Sequence, residues 1–318
     1  MQVINDINEF EYDKKSAVTV GTFDGIHLGH REIIEKLNTV KAAKGLRSVV
    51  ITFEPHPQIV LRNKTGNIKV LTTLEEKLDI FSNLNIDIVY VIKFTKEFSE
   101  TTAEDFYKNY LIDKIGLNDL ILGYDHMFGK NREGNFDTLK LLSKKYDFTV
   151  DKVEEFKIDG GHISSTVIRN LLCEKGDVKT VSGILGRYYS IEGNVIEGKK
   201  LGKELGYPTA NIEISSEYKL IPKIGVYAVE VLIKEKKYSG MMSIGKNPTV
   251  TDDESIKLEV NIFDFNEDIY GKKIRVNFIE YIRDEKKFDS LEELVKQLEL
   301  DKESTNKIIN ETAIKKNN

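Results

Sequence analysis

The sequence predicts an α/β domain built on a parallel, doubly wound sheet, then an all-β domain closed by one helix. Three observations predict it. In the first half, short β-branched runs alternate with helix patterns. A glycine-rich decamer, Gly21-Thr22-Phe23-Asp24-Gly25-Ile26-His27-Leu28-Gly29-His30, joins the first of these runs to the first helix. From Gly186 onward, strand-like runs follow one another with only glycine and charged turns between them.

The strand candidates of the first half are Ala17–Val20, Ser48–Phe53, Ile86–Phe94 and Asp119–Leu122. Between them, Ile33, Ile34, Leu37 and Val40 recur at helical spacing over 31–44, and Gly45 can end that helix. Thr73 and Glu76 form a capping-box pattern ahead of Leu74–Leu84. Thr102 is a good N-cap and Gly116 a good stop for Ala103–Ile115. Repeated β-α-β of this kind places ligands at the carboxyl ends of strands. The decamer lies at one such end, and Glu54-Pro55-His56-Pro57 at another.

In the second half the runs Ser190–Val195, Val226–Ile233, Tyr238–Ile244, Ile256–Phe263 and Lys273–Phe278 read as an antiparallel barrel or sandwich. Ser290 and Glu293 cap a last helix with an apolar stripe of Leu291, Leu294, Val295 and Leu298. The tail 315–318 is expected to be disordered. The domain boundary falls near Val181–Arg187, giving domains of 1–182 and 183–310.

The 318 residues suffice for two cores, and 40% apolar with 31% charged content is that of a globular chain. No apolar run can span a bilayer, and the N-terminus carries no secretory pattern. One cysteine, Cys173, excludes an internal disulfide and fits a reducing cytoplasm. A net charge of −5 argues against broad nucleic-acid binding, so phosphate must be held by local donors and a metal ion. The expected setting is cytoplasmic, as a monomer or weak homo-oligomer without a membrane or nucleic-acid partner.

The decamer is a strand-to-helix turn whose backbone N–H groups and positive dipole end suit an anion. His27 and His30 add imidazole donors, and Gly25 and Gly29 permit close backbone approach. The plain reading is a triphosphate at the helix start. A zinc site would need His56 or His126 with carboxylates as well. Later, Ser164, Ser165 and Thr166 open another helix, with Arg169 about one turn along. They are helix caps or a second anion cradle. In the second half, Thr209 and Asn211 share one face of an extended chain and offer hard oxygens to Mg²⁺, although Gly206-Tyr207-Pro208-Thr209 is also good turn chemistry.

Taken in order, these elements resemble a known family. The decamer, Thr52-Phe53-Glu54-Pro55-His56-Pro57, Gly123…Phe128-Gly129…Arg132…Gly134 and Ser164-Ser165-Thr166-x-x-Arg169 resemble the FMN adenylyltransferase module of bacterial bifunctional riboflavin kinase/FAD synthetases. Pro208-Thr209-Ala210-Asn211, Gly225–Val229, Gly245-x-x-Pro248-Thr249, Leu258–Ile262 and Ile282-Arg283-Asp284-Glu285-x-x-Phe288 resemble riboflavin kinase.

The resemblance implies a Rossmann-like nucleotidyltransferase domain and a six-stranded antiparallel β-barrel with a C-terminal helix. It implies ATP, riboflavin and FMN as substrates, FAD as product, and Mg²⁺. It assigns ATP to His27, His30, Ser164, Ser165, Thr166 and Arg169. Gly21, Phe23, Gly25 and Gly29 join the same loop, with Asp24 touching ligand or Mg²⁺. His56 and Asp125 fall near the flavin phosphate and ring. In the second domain Thr209 and Asn211 bind Mg-nucleotide, Glu259 is the base, and Gly193, Gly198, Lys203, Gly206 and Pro208 frame the phosphate loop. Glu259 also stands between Leu258 and Val260, which point the other way on a strand. Arg283 holds phosphate or flavin, or pairs with Asp284 or Glu285. The chain departs from many relatives at Asp125, His126, Lys203 and Asn261. The first two make adenylyl transfer the half more open to impairment.

Overall fold

The computed structural model describes residues 1–61, 68–130, 133–158, 160–198, 202, 205–246 and 256–317. The chain divides into two compact units, Met1–Ser165 and Thr166–Asn318.

The first unit is built on a wholly parallel six-stranded sheet in the order β1-β4-β3-β2-β5-β6. Its strands are β1 (Gln2–Ile4), β2 (Ser16–Val20), β3 (Arg47–Glu54), β4 (Ile88–Lys93), β5 (Leu117–Leu122) and β6 (Thr149–Lys152). The four expected strands form the centre. The sequence reading missed both edges, which are only three and four residues long and carry no alternation of exposure. The strand order reverses between β2 and β5, and a doubly wound sheet opens its ligand crevice at such a point. Val20, the last residue of β2, feeds the glycine-rich decamer directly into that place.

Helices α1 (Leu28–Lys44), α2 (Pro57–Leu61), α3 (Leu74–Ser82), α4 (Ala103–Phe106) and α5 (Phe136–Tyr146) connect these strands. α1 buries Ile33, Ile34, Leu37 and Val40, the stripe read from the sequence, and Gly45 ends it at φ 63°. Thr73 and Glu76 make the full reciprocal capping box on α3. Thr102 caps α4, which widens into a π-helix over Tyr107–Ile115 before Gly116 stops it at φ 84°. The sheet carries a core on each face. One holds Val18, Val49 and Ile51 against Phe106, Leu111 and Ile115. The other holds Ala17, Val50 and Val89 against Ile34, Leu37 and Phe81. A short hairpin, β7 (Lys157–Ile158) and β8 (Gly161–His162), follows the sheet.

The second unit is a closed antiparallel barrel of β9 (Tyr189–Ile196), β10 (Thr209–Glu213), β11 (Gly225–Ile233), β12 (Lys236–Lys246), β13 (Ile256–Ile262) and β14 (Lys273–Arg283), ordered β10-β13-β12-β11-β14-β9. Closure removes the free edges that a sandwich would leave. α6 (Ser165–Asn170), continuing as a π-helical turn over Leu171–Lys175, and α7 (Val178–Leu185) precede the barrel. α7 packs on β9 and β14, and the C-terminal helix, Leu291–Asn317, packs on β11, β12 and β14. Its start differs from the expected box. Ser290 Oγ accepts from the Glu293 N–H at 3.2 Å, but the Glu293 carboxylate reaches back to the Asp289 N–H at 3.4 Å. The helix also continues through Asn317, into the tail expected to be disordered.

Candidate active sites

The first site grows from the end of β2. Phe23 and Ile26 are buried at φ 47° and 38°, a left-handed backbone that side chains rarely adopt. Strain of this kind persists only where the surroundings hold it. Here the Gly25 N–H donates to Thr72 Oγ1 at 3.0 Å, and the Leu71 and Thr72 N–H groups donate to Asp24 Oδ1 at 2.9 and 3.1 Å. Gly25 is required twice, by φ 83° and because a Cβ would meet Leu71 Cδ1 at 2.7 Å. Ser165 Oγ, at the end of the first unit, donates to the Asp24 carbonyl at 2.8 Å.

Asp24 is only 1% exposed, and its carboxylate is engaged by backbone donors of the 71–72 segment, so it braces the loop.

His27 is the N-cap of α1. Its Nδ1 accepts from the His30 N–H at 3.3 Å. The two imidazoles stack at 3.7 Å with planes 16° apart. Gly29 makes room, since a Cβ there would lie 3.2 Å from His27 Nδ1. Gly21 likewise leaves space for the Phe23 ring, 3.2 Å from where its Cβ would be.

His56 is buried after β3, and its Nδ1 accepts from the Gln58 N–H at 3.2 Å. Asp125 is exposed. His126 Nε2 and the Tyr107 hydroxyl share a hydrogen bond at 3.0 Å, and burial pushes this imidazole down to about 4. It is a neutral group near pH 7. Ser164 is half-buried. Thr166, exposed, and Arg169, half-buried, belong to the second compact unit.

The sequence reading passed over Lys77. It is 3% exposed, and its Nζ donates to the Thr22 carbonyl at 2.9 Å and to Thr52 Oγ1 at 3.2 Å. A signal existed: Leu74, Lys77, Leu78 and Phe81 stand at i, i+3, i+4 and i+7, so this lysine occupies the apolar stripe of its helix.

The second site is set by register. Across β10 and β13, Thr209 pairs with Asn261 and Asn211 with Glu259, so all four side chains stand on one face. Leu258 and Val260 are buried on the other, as alternation predicted. The Asn261 amide donates to the Pro208 carbonyl at 2.7 Å and fixes the turn before Thr209. A Cβ on Gly198 would run into the Asn211 carboxamide, so only glycine allows that approach. Gly193 similarly admits the Glu213 backbone, and Gly206 turns the chain at φ 82°. Lys257 Nζ lies 2.8 Å from Glu259 Oε1. Lys203 lies outside the described residues, as do Arg132, Pro248 and Thr249.

Arg283 meets a partner that the sequence reading did not name. Its Nε and Nη2 donate to Asp301 Oδ1 and Oδ2 at 2.9 and 2.7 Å, and its Nη1 donates to the Asp284 carbonyl at 2.9 Å. The guanidinium fork is matched to Asp301, a buried carboxylate of the C-terminal helix.

A capped helix start on one unit and a face of hydroxyl, carboxamide and carboxylate on the other are both groups for phosphate chemistry. Two of them, on two separately folded units, define a two-domain nucleotide-dependent transferase. The chain belongs to the bifunctional riboflavin kinase/FMN adenylyltransferase family. The FAD synthetase family model matches residues 9–167 and the riboflavin kinase model residues 185–309. The chain is 38% identical to the bifunctional riboflavin kinase/FMN adenylyltransferase of Listeria monocytogenes over 92% of each chain. It is 36% identical to that of Bacillus subtilis, again over 92% of each, and 35% to that of Escherichia coli over 89% of this chain and 90% of that one. A solved structure from Streptococcus pneumoniae, named a macrolide-efflux protein, is 34% identical with a TM-score of 0.87, covering 96% of this chain and 98% of its own. Efflux does not carry over with the likeness, because both enzyme models match here. Among the described residues no helix is long and apolar enough to cross a membrane.

Proposed function

We propose that the barrel transfers the γ-phosphoryl of ATP to riboflavin, giving FMN and ADP, and that the α/β unit transfers AMP from a second ATP to FMN, giving FAD and pyrophosphate. The functional domains are 1–182 and 183–310. The observation that carries the reading is the pairing of Asn211 with Glu259 in a barrel that matches riboflavin kinase, downstream of a unit that matches FAD synthetase.

In the kinase step Glu259 accepts the proton of the ribityl 5′-hydroxyl as that oxygen attacks the γ-phosphorus and ADP leaves. Lys257 holds the carboxylate in place. Thr209 Oγ1 and the Asn211 carboxamide oxygen are the hard donors that would hold Mg²⁺, and the absence of a Cβ at Gly198 lets the Asn211 carboxamide lie close against that backbone. Bound there, Mg²⁺ neutralises phosphate charge. Gly193, Gly206 and Pro208 frame the same loop, and the resemblance adds Lys203 to the nucleotide-binding residues.

Adenylyl transfer needs no covalent enzyme intermediate. An FMN phosphate oxygen attacks the α-phosphorus of ATP, and pyrophosphate departs. The work of the protein is alignment and stabilisation of charge on the phosphoryl oxygens. The N-terminus of α1, His27 and His30 hold the triphosphate. By the family resemblance, Ser164, Ser165, Thr166 and Arg169 bind ATP as well. His56 and Asp125 border the flavin. The chain works in the cytoplasm as a monomer or weak homo-oligomer on small molecules, without nucleic acid. Its net charge of −5 and single cysteine support that reading.

The test is direct. Purified chain is incubated with riboflavin, ATP and Mg²⁺, and the flavins are separated by chromatography. FMN and then FAD are expected, and the absence of both sinks the proposal.

A further inference from the structure

Beneath the strained loop of the first unit lies a buried cation that the reaction scheme leaves unused. Lys77 projects from α3, and its ammonium bonds two neutral oxygens, the Thr22 carbonyl and Thr52 Oγ1. Thr52 Oγ1 itself donates to the Thr22 carbonyl at 3.1 Å. Two carboxylates act on the ammonium through space: Asp24 from the loop and Glu54 from the end of β3. Burial pushes the Lys77 ammonium below the ordinary lysine range, and these two carboxylates oppose the shift. Burial raises the Glu54 carboxyl, with Lys77 pulling it back down and Asp24 adding to the rise. A neutral donor would tether Thr22 as well as a cation does. Burying an ammonium without a contacting carboxylate is costly, so the charge itself calls for an explanation.

The position supplies one. Thr22 precedes Phe23 and Ile26, the residues held at positive φ, and the chain then passes to His27, the cap of α1. An anionic nucleotide at that helix start faces a loop that already contains Asp24, with Glu54 close behind. Resting on the reading that this loop receives ATP, we propose that Lys77 is a positioning residue for the nucleotide: it pins the Thr22 carbonyl and offsets the charge of Asp24 and Glu54 beneath the triphosphate. Without it the negative charge of Asp24 and Glu54 is no longer offset by Lys77 where a polyanion binds.

The experiment uses the full chain and steady-state FAD formation from added FMN, with riboflavin phosphorylation as the control in the same molecule. In Lys77→Met and Lys77→Gln the KM for ATP in adenylyl transfer is expected to rise about tenfold while the KM for FMN changes less than about twofold. The kinase should be unchanged. Adding Glu54→Gln to Lys77→Gln should restore most of the ATP KM, since one negative charge is removed with the positive one. A merely structural lesion lowers the active fraction, hence kcat, and leaves ATP KM and this charge compensation unmoved. If Lys77→Met fails to fold, Lys77→Gln, which keeps a donor for Thr22, gives the same readout. An unaltered ATP KM in the folded variants overturns the role of Lys77. A wild-type chain that makes no FAD at all overturns the functional reading instead, and this proposal with it.

Discussion

His27 caps the helix that carries His30: its Nδ1 accepts from the His30 N–H at 3.3 Å, and the two rings stack 3.7 Å apart. One imidazole thus organises the backbone while the other rides on the first turn it organises. The two histidines should therefore fail differently. His30→Ala leaves the cap intact and is expected to lower kcat for FAD formation about a hundredfold, the scale of losing one preorganised donor. His27→Ala removes the cap too and should cost about 1 kcal/mol of stability in addition. Turnover with added FMN, set beside thermal melting of each variant, separates the two.

Glu259→Gln should lower FMN formation by about 10²–10⁴-fold, the usual contribution of a positioned base. FAD formation from added FMN should continue, because Glu259 belongs to the barrel. Product analysis from riboflavin and from FMN in parallel checks this, and loss of both activities together would contradict separate sites.

Gly198→Ala introduces a Cβ where the Asn211 carboxamide now lies. The clash displaces the proposed Mg-nucleotide ligand without touching Glu259. We expect riboflavin phosphorylation to fall at least about tenfold, with ATP KM rising, as for a lost binding contact. Steady-state kinetics of the kinase is the measurement.

Arg283→Met removes the cation from Asp301, whose side chain is 2% exposed and keeps the neutral Gln297 amide as a donor at 3.0 Å. Removing one partner of a buried pair costs about 3–5 kcal/mol, and the partial exposure of Arg283 places this case near about 2–3 kcal/mol. Denaturant unfolding should show the loss. Asp301→Asn should be milder, because the amide carries no uncompensated charge.

His126 gives a pH dependence with a definite sign. Burial holds its folded value near 4, against an ordinary value of 6.5. Between these values the unfolded chain binds the proton and the folded chain does not, so this contribution is complete above pH 6.5 and disappears as pH falls to 4. Its full size is at most about 3.5 kcal/mol. His126→Gln should flatten the stability profile of the chain across that window relative to wild type, as measured by melting at stepped pH.

Much of the architecture was readable beforehand. The stripe of α1, the Thr73–Glu76 box and the stop at Gly116 all came out as read, because each depends on residues within a few positions of one another. The Thr209–Asn211 face and the outward Glu259 followed from period-two alternation alone. The edge strands Gln2–Ile4 and Thr149–Lys152 were missed, since a short strand half-facing solvent leaves no pattern. Lys77 was missed although its place in an apolar stripe was visible, because a lysine is ordinarily read as solvent-facing.

The sequence by itself determined the two-part plan, the alternation of elements and the family to which the chain belongs. These are local or ordered signals, written in spacing and in caps. Tertiary structure alone decided which partners the charged groups meet. Asp24 is engaged by backbone donors 47 residues further on, and Arg283 by a carboxylate 18 residues away. A motif names a charge and its neighbours along the chain. Whether that charge faces a ligand or a buried partner depends on which distant segment folds against it, because only desolvation and contact in the folded state select between them.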